Sequence, residues 1–514
     1  MEPKHLRITG SSLSINAIDD FINNSQAAVE ITSTALRSVK TTHTFVQERA
    51  KKDIIYGVNT GFGPMAGHLV GSQQLIDLQY NLIRSHAVGM GYPLPERFVL
   101  AAMLVRLNTL SKGYSGVSVE LLNQLAVFIN NRIIPVVPDH GAVGTSGDLV
   151  QLAHIALALI GEGEAFYKGV RQPVAVILKK LKIQPHVLQA KEGLSLINGT
   201  SMMTGISALI CADAERLMAL AIGNGAFSLE LVHAFTDGIA EKLHAVRPHE
   251  GQVAVAQKLR KILKSSQLLR TRHNFTKKFV LNGDVQHLPE VVQEVYSLRC
   301  IPQILGPIYE TLAVSKKRIE IEMNSVTDNP IVDVDGKIFI HGGNFHGDYV
   351  AATIDQLKMT LVKLTMLSER RINFFLNENV NKTFPPFLNL QKPGLTLALQ
   401  GLQFVATSTT ARSQTLAFPQ YVHSIPTNGD NQDVVSMGTD AAILTAQVID
   451  NAFIVLTIEL ATLAQAADCS PATSQKLSAS SKELYQRIRN HIGTIRQDTS
   501  ISEKLNDAVR SLRV

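Results

Sequence analysis

The stretch His140-Gly141-Ala142-Val143-Gly144-Thr145-Ser146-Gly147-Asp148-Leu149-Val150 decides how the rest of this chain is read. Glycines stand at 141, 144 and 147, and the loop runs without a break into the apolar segment Gln151 to Ile160. Glycine reaches positive φ at little steric cost, so a loop built this way can fold back on itself. Taken alone, its ordinary reading is the start of a helix, with Ser146 or Asp148 capping the first amides while the glycines turn the chain. A phosphate loop is excluded: Gly-x-x-x-x-Gly-Lys-Ser/Thr is absent and no Lys follows Gly147.

A third reading is covalent. Strain that presses the Gly147 amide nitrogen against the Thr145 carbonyl closes a five-membered ring, and loss of water leaves Ser146 as a dehydroalanine. The product, methylidene-imidazolone (MIO), is a carbon electrophile that no ordinary side chain supplies. Gly147 suits the attack because it has no Cβ.

Further blocks lie on both sides of the loop. They are Tyr56-Gly57-Val58-Asn59-Thr60-Gly61-Phe62-Gly63, Leu196-Ile197-Asn198-Gly199-Thr200, Tyr296-Ser297-Leu298-Arg299-Cys300, Asp328-Asn329-Pro330, His341-Gly342-Gly343-Asn344-Phe345 and Asn431-Gln432-Asp433. In this order, and from about Leu6 to past Ala467, the chain resembles the aromatic amino-acid ammonia-lyases and aminomutases, MIO enzymes acting on histidine, tyrosine or phenylalanine. The wording around Asn81 to His86 and His341 to Tyr349 looks most like bacterial tyrosine ammonia-lyases.

The resemblance implies removal of ammonia from an α-amino acid to give a trans-α,β-unsaturated acid. An electrophile that captures the amine improves a poor leaving group, and a base on the opposite side takes the β proton. Tyr56 matches that base; a phenol, with a reference pKa of about 10, needs nearby donors or positive charge for the task. Thr145, Ser146 and Gly147 match the residues that become MIO, with no metal and no external cofactor. Arg299 matches the residue that holds the substrate carboxylate, a task for a planar guanidinium, and Asn329 matches its partner. Asn198, Gln293, Tyr296 and Gln432 match residues around the ring that donate to its carbonyl or to the reacting groups. Phe345 matches the aromatic wall, and Gly63 closes the Tyr56 loop. Without the resemblance, each has a plainer reading: a packed Tyr, a structural Arg ion pair, polar residues on helices, a core Phe.

Ser85-His86 falls where the family contacts the substrate's aromatic end. Histidine-type and some tyrosine-type members carry a similar pair, whereas phenylalanine-type members carry apolar residues, so a polar ring is expected; a satisfied buried histidine is the alternative. Two positions depart from the family. Thr145 stands where most members have Ala, which resembles some aminomutases. Arg412 aligns where others have Glu or Gln near the substrate amine, reversing the charge there.

Size and composition agree with a large soluble enzyme. The 514 residues are 45% hydrophobic and 18% charged, enough for a sizeable core and more than one domain. Cys211, Cys300 and Cys469 form neither a disulfide framework nor a CxxC site, which fits a reducing cytoplasm. Met1-Glu2-Pro3-Lys4-His5 lacks a signal peptide's apolar run. The apolar region Ala441 to Ala467 is interrupted by Asp450, Asn451 and Glu459 and reads as a helix buried in protein, not lipid. Much of the excess behind the net charge of +6 lies between Lys258 and Lys278 with no nucleic-acid motif beside it, so a solvated helix face or a mobile loop is expected and no nucleic-acid partner.

Apolar spacing predicts helices over 15–22, 27–49, 75–86, 95–110, 117–130 and 148–160, a small hairpin at Phe166 to Arg171, then long helices over 202–233, 302–326, 345–377, 397–416 and 439–467, with a polar helical tail from Ser470. The expectation is an all-α protein like histidine ammonia-lyase: a mixed N-terminal MIO-loop region, residues 1–200, and a long central helical bundle, residues 201–514. The resemblance further implies a homotetramer whose neighbouring subunits complete each site. Tyrosine is the first expected substrate and histidine the second. An aromatic 2,3-aminomutase and a catalytically impaired helical scaffold are the rivals.

Overall fold

The computed structural model describes residues 5–280, 283, 285–288 and 290–513. Met1 to Lys4, most of the segment weighed against a signal peptide, lie outside them. Helix accounts for 58% of the chain, and no strand among the described residues exceeds four residues. The protein is all-α, as its apolar periodicity requires.

Where the sequence suggests one cut after residue 200, the compact units are discontinuous. One comprises Met1–Ala212, Ser315–Asp355 and Pro419–Ala446; the other comprises Asp213–Val314, Gln356–Phe418 and Gln447–Val514. The physical reason is helix length. Ser201–Leu231, Ile301–Met323, Asp348–Leu376 and Gly438–Asp468 each run on past the residue at which the units divide.

The first unit is built on the helix Glu96–Ser111, which is buried on every side from Phe98 to Ser111. Beside it packs Val119–Asn130, begun by Ser118, whose hydroxyl accepts from the Leu121 amide at 3.1 Å. Its buried Leu121, Leu122, Leu125, Phe128 and Ile129 recur at helical spacing; each such side chain contributes about 1.5–3 kcal/mol when withdrawn from water. One expectation fails locally: residues 28–31 are not helical but form a strand, Ala28–Ile31, parallel to His5–Ile8. β-Branched Val29 and Ile31 favour the extended form, and Thr32 then caps the helix Ser33–Arg49 by accepting from the Ala35 amide. The hairpin at residues 164–173 forms as expected.

In the second unit the helices bury polar groups against one another. The Glu459 carboxylate accepts from Ser368 Oγ at 2.6 Å, from Asn224 Nδ2 at 3.1 Å and from the Arg371 guanidinium. A buried carboxylate so supplied with donors is tolerated in an otherwise apolar helix. Gly438–Asp468 is long and apolar enough to cross a membrane, but 67% of its most apolar window is buried inside the protein, which marks a core helix. The basic stretch is not a bare solvated face. Arg270 pairs with Glu290 and Glu294, Arg272 with Asp237 and Lys278 with Glu290, while the Arg270 and Arg272 guanidinia lie 4.3 and 3.9 Å from the centre of the Phe235 ring.

Candidate active site

The glycine loop turns back on itself and docks against the turn that follows Ile197. Gly144 bridges Gly147, and Gly147 bridges Gly199. The Asp148 amide donates to Gly199 O at 2.8 Å, and the Gly199 amide donates to Ser146 O at 3.2 Å. Asn198 Nδ2 donates to the same Ser146 oxygen at 2.9 Å. Ser146 therefore carries two donors on its carbonyl, and it is held at φ +56°, a left-handed conformation that costs a non-glycine residue energy. Gly147 sits at φ +86°, and a Cβ there would lie 2.1 Å from Gly199 O. Only glycine fits.

Asp148 begins the helix Leu149–Leu159, yet its side chain makes no cap there. The carboxylate instead reaches the start of a helix further along the chain, Ser201–Leu231, accepting from the Met202 and Met203 amides at 2.9 and 3.0 Å and from the Thr439 hydroxyl. The helix-start reading was thus right in kind and wrong in target. Burial pushes the Asp148 carboxyl up to about 6, against the pull of these donors and of the Arg106 cation.

Above the loop lies a cavity of about 920 Å³, large enough for an amino acid. It is lined by Tyr56, Gly63, Ser85, His86, Asn198, Asn329, Phe345 and Gln432 together with Thr145, Ser146 and Gly147, so eleven of the residues singled out in the sequence meet in one place. The Tyr56 hydroxyl oxygen accepts from the Gly63 amide at 3.0 Å, and its ring meets Phe62 edge-on. Asn59 ties this loop down by donating to Ala50 O and Asp53 O while accepting from the Ile55 amide. Gln432 Nε2 donates to Ser146 Oγ at 3.1 Å. Asn329 Oδ1 accepts from the Gly342 amide at 2.7 Å. His86 Nδ1 lies 2.9 Å from the Leu82 carbonyl, which can only accept, and 3.1 Å from Ser85 Oγ; in the neutral ring that donates to Leu82, Nε2 is the acceptor.

Gln293, Tyr296, Arg299 and Arg412 do not line the cavity. The first three form a cluster of their own in the second unit: Arg299 donates to Gln293 Oε1 and stacks over the Tyr296 ring at 4.8 Å. Tyr296 is 68% exposed. Arg412 is exposed near the end of the helix Gln400–Thr415. Among the described residues, no Lys or Arg lines the cavity.

Sequence reasoning missed other wall residues. Leu78 and Asn81 lie on the same face of Leu75–His86 as Ser85, a face that the 3.6-residue period gives once His86 is placed. Asn428, close enough to Gly63 that a Cβ there would lie 2.3 Å from its Nδ2, carried no signal beyond its nearness to Gln432.

Residues 13–490 match the aromatic amino acid lyase family. A histidine ammonia-lyase of Bacillus velezensis is 39% identical over 93% of this chain and 91% of its own length. A tyrosine 2,3-aminomutase of Chondromyces crocatus is 40% identical over 97% and 94%. The crystal structure of a tyrosine aminomutase from Streptomyces globisporus superposes with a TM-score of 0.95 at 34% identity, covering 99% of this chain and 97% of that one. A loop only glycine can make, the cavity above it and similarity along nearly the full length converge on one conclusion: the chain belongs to the aromatic amino acid lyase family.

Proposed function

We propose that the protein is an MIO-dependent ammonia-lyase for an aromatic amino acid with a polar ring, tyrosine first and histidine second. The carrying observation is Ser146, held left-handed with two donors on its carbonyl, at the floor of a cavity that also presents Tyr56 and His86. These residues fit the group. Gly147 leaves no space for a Cβ, and a ring closed from Thr145, Ser146 and Gly147 would supply the electrophile that takes up the substrate amine.

The other tasks fall to side chains. The Gly63 amide orients the Tyr56 oxygen, which as phenolate accepts the proton from the substrate β carbon. His86 Nε2 accepts a hydrogen bond from a phenol hydroxyl or an imidazole N–H; phenylalanine would leave this acceptor desolvated and unpaired. Asn329 spends its Oδ1 on Gly342 and keeps its amide donors for the substrate carboxylate. That carboxylate also needs a cation, and none of the described residues lining the cavity is a Lys or Arg. The cluster of exposed Gln293 and Tyr296 with half-buried Arg299 supports a homotetramer in which neighbouring copies supply these residues.

The second reading is a tyrosine 2,3-aminomutase, favoured by Thr145 and by the 40% identity to the Chondromyces enzyme. Incubation with tyrosine, histidine and phenylalanine, with Ser146→Ala as control, separates the readings. Coumarate or urocanate, lost in the variant, is the expected result. A β-amino acid as principal product establishes the aminomutase, and no product from any of the three overturns both.

A further inference from the structure

Behind the loop, one buried cation is not accounted for by the family roles. Arg106 lies in the middle of Glu96–Ser111 and is 1% exposed. Its Nη2 donates to Asn198 O at 2.6 Å and to Ser195 O, carbonyls in the last turn of the short helix Glu192–Ile197 and just after it. Its Nε and Nη1 have no hydrogen-bond partner among the described residues. Such a guanidinium is costly: burial pulls it down to about 10, while Asp328 and Asp148 support its charge. Two backbone bonds are a small return for a buried charge.

The return is larger one peptide further on. The carbonyl that Arg106 holds belongs to the Asn198–Gly199 peptide, whose N–H donates to Ser146 O. The same residue, Asn198, places its side-chain donor on that oxygen. A cation on the carbonyl end of an amide polarises it and strengthens the donor at the nitrogen end. Arg106 thus reinforces one donor electronically and anchors the backbone that aims the other.

Ser146 O is where negative charge gathers in one step of ring formation. In the first step the Gly147 nitrogen bonds to the Thr145 carbonyl carbon; the Thr145 oxygen then leaves as water with the Gly147 and Ser146 amide protons. In the second, the Ser146 Cα proton and the Ser146 hydroxyl leave as a second water, and the electrons of the Cα–H bond become the Cα=Cβ bond. Loss of the Cα proton puts charge on Ser146 O. Gln432 donates to Ser146 Oγ, the leaving group of that step. We propose that Arg106 is a positioning residue for this dehydration: through the Asn198–Gly199 peptide it holds and strengthens the two donors that stabilise charge on Ser146 O. The proposal rests on the MIO reading above.

Mass spectrometry of the loop peptide, taken over time after synthesis, tests it without any assay of turnover. Wild type is expected to lose two waters; wild type that loses none overturns the MIO reading itself. Arg106→Gln, checked for a native circular-dichroism spectrum and melting curve, is expected to lose the first water normally. It should lose the second on the order of tenfold more slowly, so that a one-water species accumulates. Arg106→Lys keeps a cation with shorter reach and is expected to fall between the two, and it serves as the deciding variant if Arg106→Gln does not fold. Wild-type completion in a folded Arg106 variant overturns the proposal. So does a folded variant that loses neither water, because Arg106 would then only shape the loop for closure.

Discussion

The Thr145 to Gly147 loop and the Gln293 to Arg299 segment carry sequence blocks of similar length and specificity, yet the structure treats them in opposite ways. The loop is pinned from several directions: Asn198, Gly199 and Gln432 all donate to Ser146, and the Gly147 backbone meets Gly199 too closely for any side chain. The segment is open, with Tyr296 mostly exposed and Arg299 held by its own neighbours Gln293 and Tyr296. Strained covalent chemistry needs walls from its own protomer, because the strain must be repaid where it is stored. On the reading proposed above, recognition of the substrate carboxylate is left to a face that a second copy brings up.

The largest expected effect breaks the loop half of this contrast. Gly147→Ala forces a Cβ against Gly199 O; activity should fall by about a thousandfold or more, with no water lost from the loop peptide by mass. An active Gly147→Ala enzyme would remove the steric argument. Next comes the open half. Tyr56→Phe and Arg299→Ala, each expected to lose about a hundredfold or more in kcat/KM, should regain activity when unfolded together and reassembled, since mixed oligomers contain sites with both native residues. Failure to regain activity, with mixed oligomers shown by native mass spectrometry, would mean that each site is built within one protomer.

A smaller effect concerns pH. The Asp148 carboxyl is raised from its ordinary 3.8 to about 6, so the folded state holds its proton more tightly than the unfolded state. The stability from this group is fully present below the unfolded value and is lost as pH rises through about 6. Relative to Asp148→Asn, wild type should therefore lose melting temperature between about pH 4 and pH 6; a constant difference across that range would contradict the assignment. The smallest effect is expected at Arg412, exposed on its helix. Arg412→Gln should change KM by no more than about threefold, and a larger fall in KM would put Arg412 at the substrate amine.

Much of this was legible in the sequence. Long apolar periods gave the helices within a few residues, since burial on several sides leaves an unbroken apolar record. The cavity wall was legible wherever a rare block carried it. Other features were not. Residues 28–31 have helix-compatible spacing and became a strand only because His5–Ile8 lies alongside. Asp148 looks like a cap for its own helix, and nothing local says that it caps another. Arg106 sits in an apolar helix far from every motif, so its link to Asn198 exists only after folding.

Asp148 also sets the order of events in the life of the chain. Its partner Thr439 is 291 residues away, and the Met437 amide that donates to Val143 O comes from the same distant stretch. A nascent chain cannot assemble this loop until residues near 439 have been synthesised and have come home. The loop's geometry is therefore a receipt for finished folding. On the MIO reading proposed above, an aborted or truncated product would keep an ordinary serine there, and no reactive carbon would be released on a half-made protein.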